Sequence, residues 1–184
     1  VGAQVTLFKP GDEVYYAGDR SRPGSNAELH AVDERIVALK PRSLSFAQAA
    51  ALPLTSITAW ELLFDRFCAP RQGGAGQAIL VIGGAGGVGS ILVQWAKLLG
   101  ATVIGTVGSD DKAVRAKALG CDHVIVYSRE KFPVRVRELT GGKGVAVVYD
   151  SVGRDTFLDS VASLQRRGTM VSYGNATGPV APFD

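Results

Sequence analysis

Thirteen consecutive residues carry the densest chemical signal in this 184-residue chain: Ala78-Ile79-Leu80-Val81-Ile82-Gly83-Gly84-Ala85-Gly86-Gly87-Val88-Gly89-Ser90. An apolar run of strand length ends in a glycine cluster, and an amphipathic segment follows at once. Gly84, Gly86 and Gly89 fit G-x-G-x-x-G. The first glycine permits a tight strand-to-helix turn, the second lets a pyrophosphate approach bare backbone, and the third lets helix and strand pack closely. A helix that starts at Gly87 would offer unpaired N–H groups and a partial positive charge to phosphates. The spacing alone is weak evidence; the strand–turn–helix context around it points to dinucleotide binding.

The residue type at the tip of the next strand separates the two nicotinamide dinucleotides. Here the tip reads Val107-Gly108-Ser109-Asp110-Asp111-Lys112. Gly108 and Ser109 leave room for a phosphate, and Lys112 offers it a point charge. Asp110 and Asp111 argue the other way, because either could accept from a ribose 2′-hydroxyl. They also suit the first turn of a helix, where negative charge is favourable. The residues favour NADPH and leave NADH open.

These segments need a scaffold, and the pattern supplies one. From residue 78 onward, strand candidates at 78–82, 102–107, 123–126, 145–149 and 169–173 alternate with helix candidates at 87–99, 110–119, 130–139 and 156–165. Gly100, Gly120, Gly141 and Gly168 stand near the helix ends. Such alternation predicts an α/β fold, a doubly wound parallel (Rossmann) sheet in the strand order 3-2-1-4-5. A sixth strand is expected beyond Asp184.

Residues 1–40 read as β-rich. Segments 12–16 and 27–32 are strand-like, and Gly11, Gly18, Pro23 and Gly24 punctuate them. Ser45 and Gln48 form a capping-box pair for a short helix over 46–52, which Pro53 should end. A second helix is expected over 56–67 with Trp60, Leu63 and Phe64 on one face. A glycine-rich loop should follow over 70–77.

Several function classes are disfavoured. The formal charge is +3 and the basic residues are dispersed apart from Arg166-Arg167, which argues against nucleic acid. No stretch approaches the roughly 18 apolar residues of a membrane span. Cys68 and Cys121 stand far apart, predicting neither a disulfide framework nor a zinc knuckle, and they read as small buried or half-buried thiols in a reducing compartment. His30 and His123 have no catalytic partner in sequence and read as surface or strand residues. Gly141-Gly142-Lys143 lacks phosphate-loop spacing, and no G-x-S-x-G elbow occurs. Gly83 to Gly89 also fits the loop of short-chain dehydrogenases, and Tyr127-Ser128-Arg129-Glu130-Lys131 their Y-x-x-x-K. That pair must share a helix face, whereas Tyr127 falls at a strand end.

Taken in order, the motifs resemble the medium-chain dehydrogenase/reductase superfamily, in its quinone oxidoreductase and zinc-type alcohol dehydrogenase-like group. Phe8-Lys9-Pro10-Gly11-Asp12-Glu13-Val14 is similar to the K-x-G-D-x-V turn of the family's GroES-like domain. Ala49-Ala50-Ala51-Leu52-Pro53 and the following Leu54-Thr55-Ser56-Ile57-Thr58-Ala59-Trp60 resemble its link into the cofactor domain, and Asp150-Ser151-Val152-Gly153 its D-x-V-G. Residues 1–93 look nearer the zinc-type branch, with Arg22-Pro23-Gly24-Ser25-Asn26-Ala27-Glu28. Residues from Gln94 onward look nearer bacterial NADPH:quinone oxidoreductases.

The resemblance implies a domain plan: 1–45, part of a GroES-like catalytic domain; 46–77, linking helices and loop; 78–184, an NADPH-binding Rossmann domain. It implies that Gly84, Gly86, Gly87, Val88 and Gly89 hold the pyrophosphate, and that Gly108, Ser109 and Lys112 surround the 2′-phosphate with Tyr127 nearby. Val152, Gly174, Asn175 and Thr58 would line the nicotinamide side. The implied parent is a cytoplasmic homodimer that moves hydride from NADPH to a quinone or enone-like small molecule, without metal, nucleic acid or membrane. The chain starts without Met and stops soon after its fifth strand, so walls of the substrate cleft are expected outside it. From this follow weak dinucleotide binding, self-association through an open sheet edge and little turnover for the 184 residues alone.

Overall fold

The computed structural model describes residues 1–67, 69 and 76–183. The chain divides into two compact units, Val1–Ile57 and Thr58–Asp184.

In the first unit, two-residue strands β1 (Val14–Tyr15) and β2 (Ala38–Leu39) pair antiparallel. Segment 27–32, expected as a strand, forms none. Within it, the His30 ring lies between the Tyr16 hydroxyl at 3.0 Å and the Pro23 carbonyl at 2.8 Å, and Leu29 is 91% exposed. The Pro23 carbonyl can only accept, so the His30 Nε2–H donates to it. Lys40 is buried, its Nζ 2.6 Å from the Leu44 carbonyl and 3.1 Å from Glu13 Oε2.

Helix α1 (Phe46–Ala50) has the expected capping box, with Ser45 accepting from the Gln48 N–H and the Gln48 side chain accepting from the Ser45 N–H. Pro53 does not end it. The helix closes at Ala50, and Pro53 opens α2 (Pro53–Trp60), as proline's missing N–H and fixed φ favour. A π-helical turn, Glu61–Arg66, continues α2 and packs Phe64 against Trp60 with ring centroids 4.5 Å apart. Cys68 and most of the predicted 70–77 loop lie outside the described residues.

The second unit is built on a five-stranded parallel sheet. Its elements are β3 (Ala78–Ile82), α3 (Gly87–Leu98), β4 (Thr102–Val107), α4 (Asp110–Ala118), β5 (His123–Val126), α5 (Phe132–Leu139), β6 (Val145–Asp150), α6 (Phe157–Ala162) and β7 (Leu164–Ser172). The order β5-β4-β3-β6-β7 is the predicted 3-2-1-4-5.

Alternation along the strands feeds two cores. Ile79, Val81, Val103, Val107, Val147 and Tyr149 face Leu92, Val93 and Ala96 of α3. Leu80, Ile82, Ile104, Ile125 and Val148 face Phe132 and Val136 of α5. Both faces are covered, so the strands read as continuous apolar runs.

In this unit three boundaries differ from expectation by more than one residue: the start of α5, the end of α6 and the start of β7. Helix α5 begins at Phe132, not at residue 130, because Pro133 favours the first turn. The last helix ends at Ala162 rather than at residue 165, and Leu164 already pairs with Val145. Gly144 allows this early pairing: a Cβ there would stand 2.7 Å from the Ser163 carbonyl oxygen. The ladder then skips to Thr169 opposite Val147. In the intervening bulge, the left-handed residue is Arg167, at φ 62°, and not the expected Gly168.

Candidate functional site

The chain reverses direction across the sheet between β3 and β6, where open α/β sheets bind ligands beyond the carboxyl ends of their strands. The glycine loop sits at this point. Its third glycine is enforced by packing, since a Cβ on Gly89 would lie 2.3 Å from the Gly83 carbonyl oxygen. A Cβ on Gly86 would lie 3.1 Å from the same oxygen. Thr106, fully buried in β4, fixes the loop from below. Its carbonyl accepts from the Gly84 N–H at 3.0 Å, and its hydroxyl oxygen accepts from the Gly83 N–H at 3.3 Å. Helix α3 starts with Gly86 as N-cap and no side-chain cap, so the first-turn N–H groups of Gly87, Val88 and Gly89 keep their capacity for an anion.

Beside the loop, the tips of β4 and β5 lie against each other. A Cβ on Gly108 would stand 2.7 Å from the hydroxyl of Tyr127, whose exposed side chain lies against this tip. The Ser128 hydroxyl donates to the Gly108 carbonyl at 3.3 Å. Ser109 is the N-cap of α4, without a side-chain capping bond, and Lys112 is exposed one turn in. Arg129 forms an ion pair with Asp110. Tyr127 directly follows β5 and Lys131 is the N-cap of α5, so the Y-x-x-x-K coincidence places no pair on one helix face.

A cavity of about 520 Å³ opens over the end of β3, between the loop after β5 and the loop after β6; Gly84, Gly86, Gly87, Val88, Gly89, Gly108, Ser109, Lys112, Gly174 and Asn175 do not line it. Tyr127 and Val152 of the predicted set line it, together with Arg129, Thr156 and Thr177, which the sequence reading did not single out. The loop carrying Val152 is held by Asp150, a fully buried carboxylate. Its Oδ1 accepts from the N–H groups of Val152 at 2.7 Å and Gly153 at 3.2 Å, and its Oδ2 from the hydroxyls of Thr156 and Ser160, both at 2.7 Å. The Val152 carbonyl in turn accepts from the N–H and hydroxyl of Thr177, each at 2.9 Å. The Ser151 carbonyl accepts from the Ala176 N–H at 3.1 Å. Gly174 and Asn175 therefore lie on a loop tied to the Val152 loop. Thr58, half-buried in α2, does not line the cavity.

Cys121 lies under the loop, its Sγ 2.7 Å from where a Gly105 Cβ would be, and burial pushes its thiol up to about 11. Among the described residues, no group of three or more His, Cys, Asp or Glu side chains could hold a metal ion. No helix among them is long and apolar enough to cross a membrane.

The sequence profile of zinc-binding dehydrogenases matches residues 87–184, over half of the chain. The chain belongs to this family. Within it, the medium-chain dehydrogenase/reductase likeness read from the motifs extends over nearly all of its length. A quinone oxidoreductase of Salmonella typhimurium is 47% identical over 180 residues, covering 98% of this chain and 53% of the relative. The crystal structure of a Pseudomonas syringae quinone oxidoreductase superposes with a TM-score of 0.88 at 48% identity, over 100% of this chain and 55% of that one. The Escherichia coli quinone oxidoreductase complexed with NADPH superposes at 0.89 and 43% identity, with the same coverage of 100% and 55%. The chain spans about half the length of the curated relatives it matches.

Proposed function

We propose that the full-length protein transfers hydride from NADPH to a quinone or enone-like small molecule, without zinc. The observation that carries this reading is the uncapped start of α3 behind the tightly turned glycine loop, at the point where the sheet reverses direction. The likeness to quinone oxidoreductases, one of them complexed with NADPH, supports the same choice of cofactor and acceptor.

The residues present fit such a group. Gly86 keeps the loop surface bare, and the N–H groups of Gly87 and Val88 point their unpaired capacity at a pyrophosphate. Gly84 and Gly89 allow the turn itself. Gly108, Ser109, Lys112 and Tyr127 surround the 2′-phosphate, with Lys112 as its point charge. Val152, Gly174 and Asn175 shape the nicotinamide side, with Thr58 as an outlying member. When bound, NADPH supplies the hydride. The protein orients the ring against the acceptor, excludes water and stabilises the oxygen that gains charge. In the domain plan proposed with this reading, residues 78–184 hold the cofactor, 46–77 form the link, and 1–45 belong to the substrate side.

The test is steady-state oxidation of NADPH by 1,4-benzoquinone with the full-length protein, before and after chelation and with bound metal quantified. Turnover that survives chelation is expected. NADPH binding without turnover would favour a non-enzymatic dinucleotide-binding role. Activity lost on chelation and restored by zinc would favour an alcohol dehydrogenase.

A further inference from the structure

The tips of β4 and β5 carry two opposed sets of charge. Asp110 and Asp111 open α4, and Lys112 follows them in the same turn. Arg129, three residues past the end of β5, reaches across and donates from Nη2 to Asp110 Oδ1. Both partners are exposed, at 60% and 76% of their side-chain surface, so the pair is screened by solvent and readily exchanged. Arg129 also lines the cavity of about 520 Å³, beside Tyr127 and Ser128. The residues just before it meet the tip of β4: the Ser128 hydroxyl donates to the Gly108 carbonyl and the Tyr127 hydroxyl lies against the Gly108 backbone.

We propose that Arg129 is a specificity-determining residue for the 2′-phosphate of NADPH, and that Asp110 is the resident anion it exchanges for that phosphate. This rests on the NADPH reading above. A guanidinium presents a planar fork that matches phosphate bidentately, which the Lys112 ammonium cannot do. In the free protein the fork is turned to the Asp110 carboxylate. A phosphate carries more charge and more acceptor oxygens than a carboxylate, and Lys112 stands in the same turn to share it.

NADH offers only a 2′-hydroxyl at this place. It has no charge for Arg129, and Asp110 can accept from it. Asp110 therefore acts in opposite senses on the two cofactors: it competes with the phosphate of one and receives the hydroxyl of the other. The first-turn acids, which suit the helix end in any case, thereby also set the discrimination.

The test is fluorescence titration of NADPH and NADH, in parallel, into the full-length protein and its Arg129→Gln, Asp110→Asn and Lys112→Ala variants. Arg129→Gln is expected to weaken NADPH by about 5- to 30-fold and to leave NADH within about 2-fold. Asp110→Asn is expected to tighten NADPH by about 3- to 10-fold without tightening NADH. Raising salt should weaken NADPH more in the unaltered protein than in Arg129→Gln. Arg129→Lys, which keeps the charge and loses the fork, should fall between, and it replaces Arg129→Gln should that variant fail to fold.

Equal loss of both cofactors in the Arg129 variants, or no loss of either, overturns the proposal, as does weaker NADPH binding in Asp110→Asn. Selective loss of NADPH in Lys112→Ala without selective loss in Arg129→Gln overturns this inference and leaves the NADPH reading standing. No preference for NADPH in the unaltered protein overturns both.

Discussion

In the proposed cofactor site, Lys112 and Gly89 would act by different physics, charge in one case and space in the other. Lys112 is exposed and offers one charge contact, so Lys112→Ala should cost NADPH about 1–2 kcal/mol, or 5- to 30-fold in affinity, and leave NADH unchanged by titration. Gly89 is buried, and any Cβ meets backbone at 2.3 Å. Gly89→Ala should therefore destabilise the protein by more than about 2 kcal/mol in a denaturant titration and weaken both dinucleotides together. Cys121 supplies a third residue-scale prediction. With its thiol held near 11 by burial, it should react slowly with a disulfide reagent at pH 8 in a Cys68→Ser variant and quickly after unfolding, as reagent kinetics would show.

At the scale of elements, strands and helices of the second unit were legible wherever a strong period met a glycine. β3, β4 and β5 fall on their predicted residues because each is a short apolar run closed by a turn. Pro53 was misread because proline both ends and begins helices, and only the chain's path decides which. The end of α6 was missed because a contact remote in sequence, Gly144 against Ser163, sets the start of β7. The glycine loop of the site was plain, since its spacing is local. Arg129 and the Asp150 network were not, because their partners sit on other loops and no periodicity reports them.

The same contrast governs stability along the chain. The first unit has two-residue strands and, as buried side chains, little beyond Lys40 and Ala49, whereas β3 and β6 are buried almost throughout. Amide exchange should accordingly be fast at Val14, Tyr15 and Lys40 and slowest in β3, β4 and β6, with protection differing by several orders of magnitude. Comparable protection in both units would contradict this.

For the molecule as a whole, two cores share one sheet, and its buried ionisable groups link stability to alkaline pH. Burial raises Cys121 from 9.0 to about 11 and raises Tyr149 further above its ordinary 10.0. A raised pKa means that the folded state holds the proton where the unfolded chain releases it. Stability is then fully present below about pH 9 and declines as pH rises towards 11 and beyond, by up to about 2–3 kcal/mol from Cys121 alone. Denaturant midpoints measured from pH 8 to 11 should fall, and Cys121→Ala should flatten the first part of that fall.

The central claim is that NADPH lies across the carboxyl ends of β3 and β4, with its pyrophosphate on α3 and its 2′-phosphate at the start of α4. Backbone amide shifts, followed by NMR during parallel titrations with NADPH and NADH, test it at each residue. The expected result is that both cofactors move Gly86, Gly87, Val88 and Gly89, while NADPH alone strongly moves Ser109 to Lys112 and Arg129. Identical shift maps for the two cofactors, or maps that leave the glycine loop untouched, would contradict it.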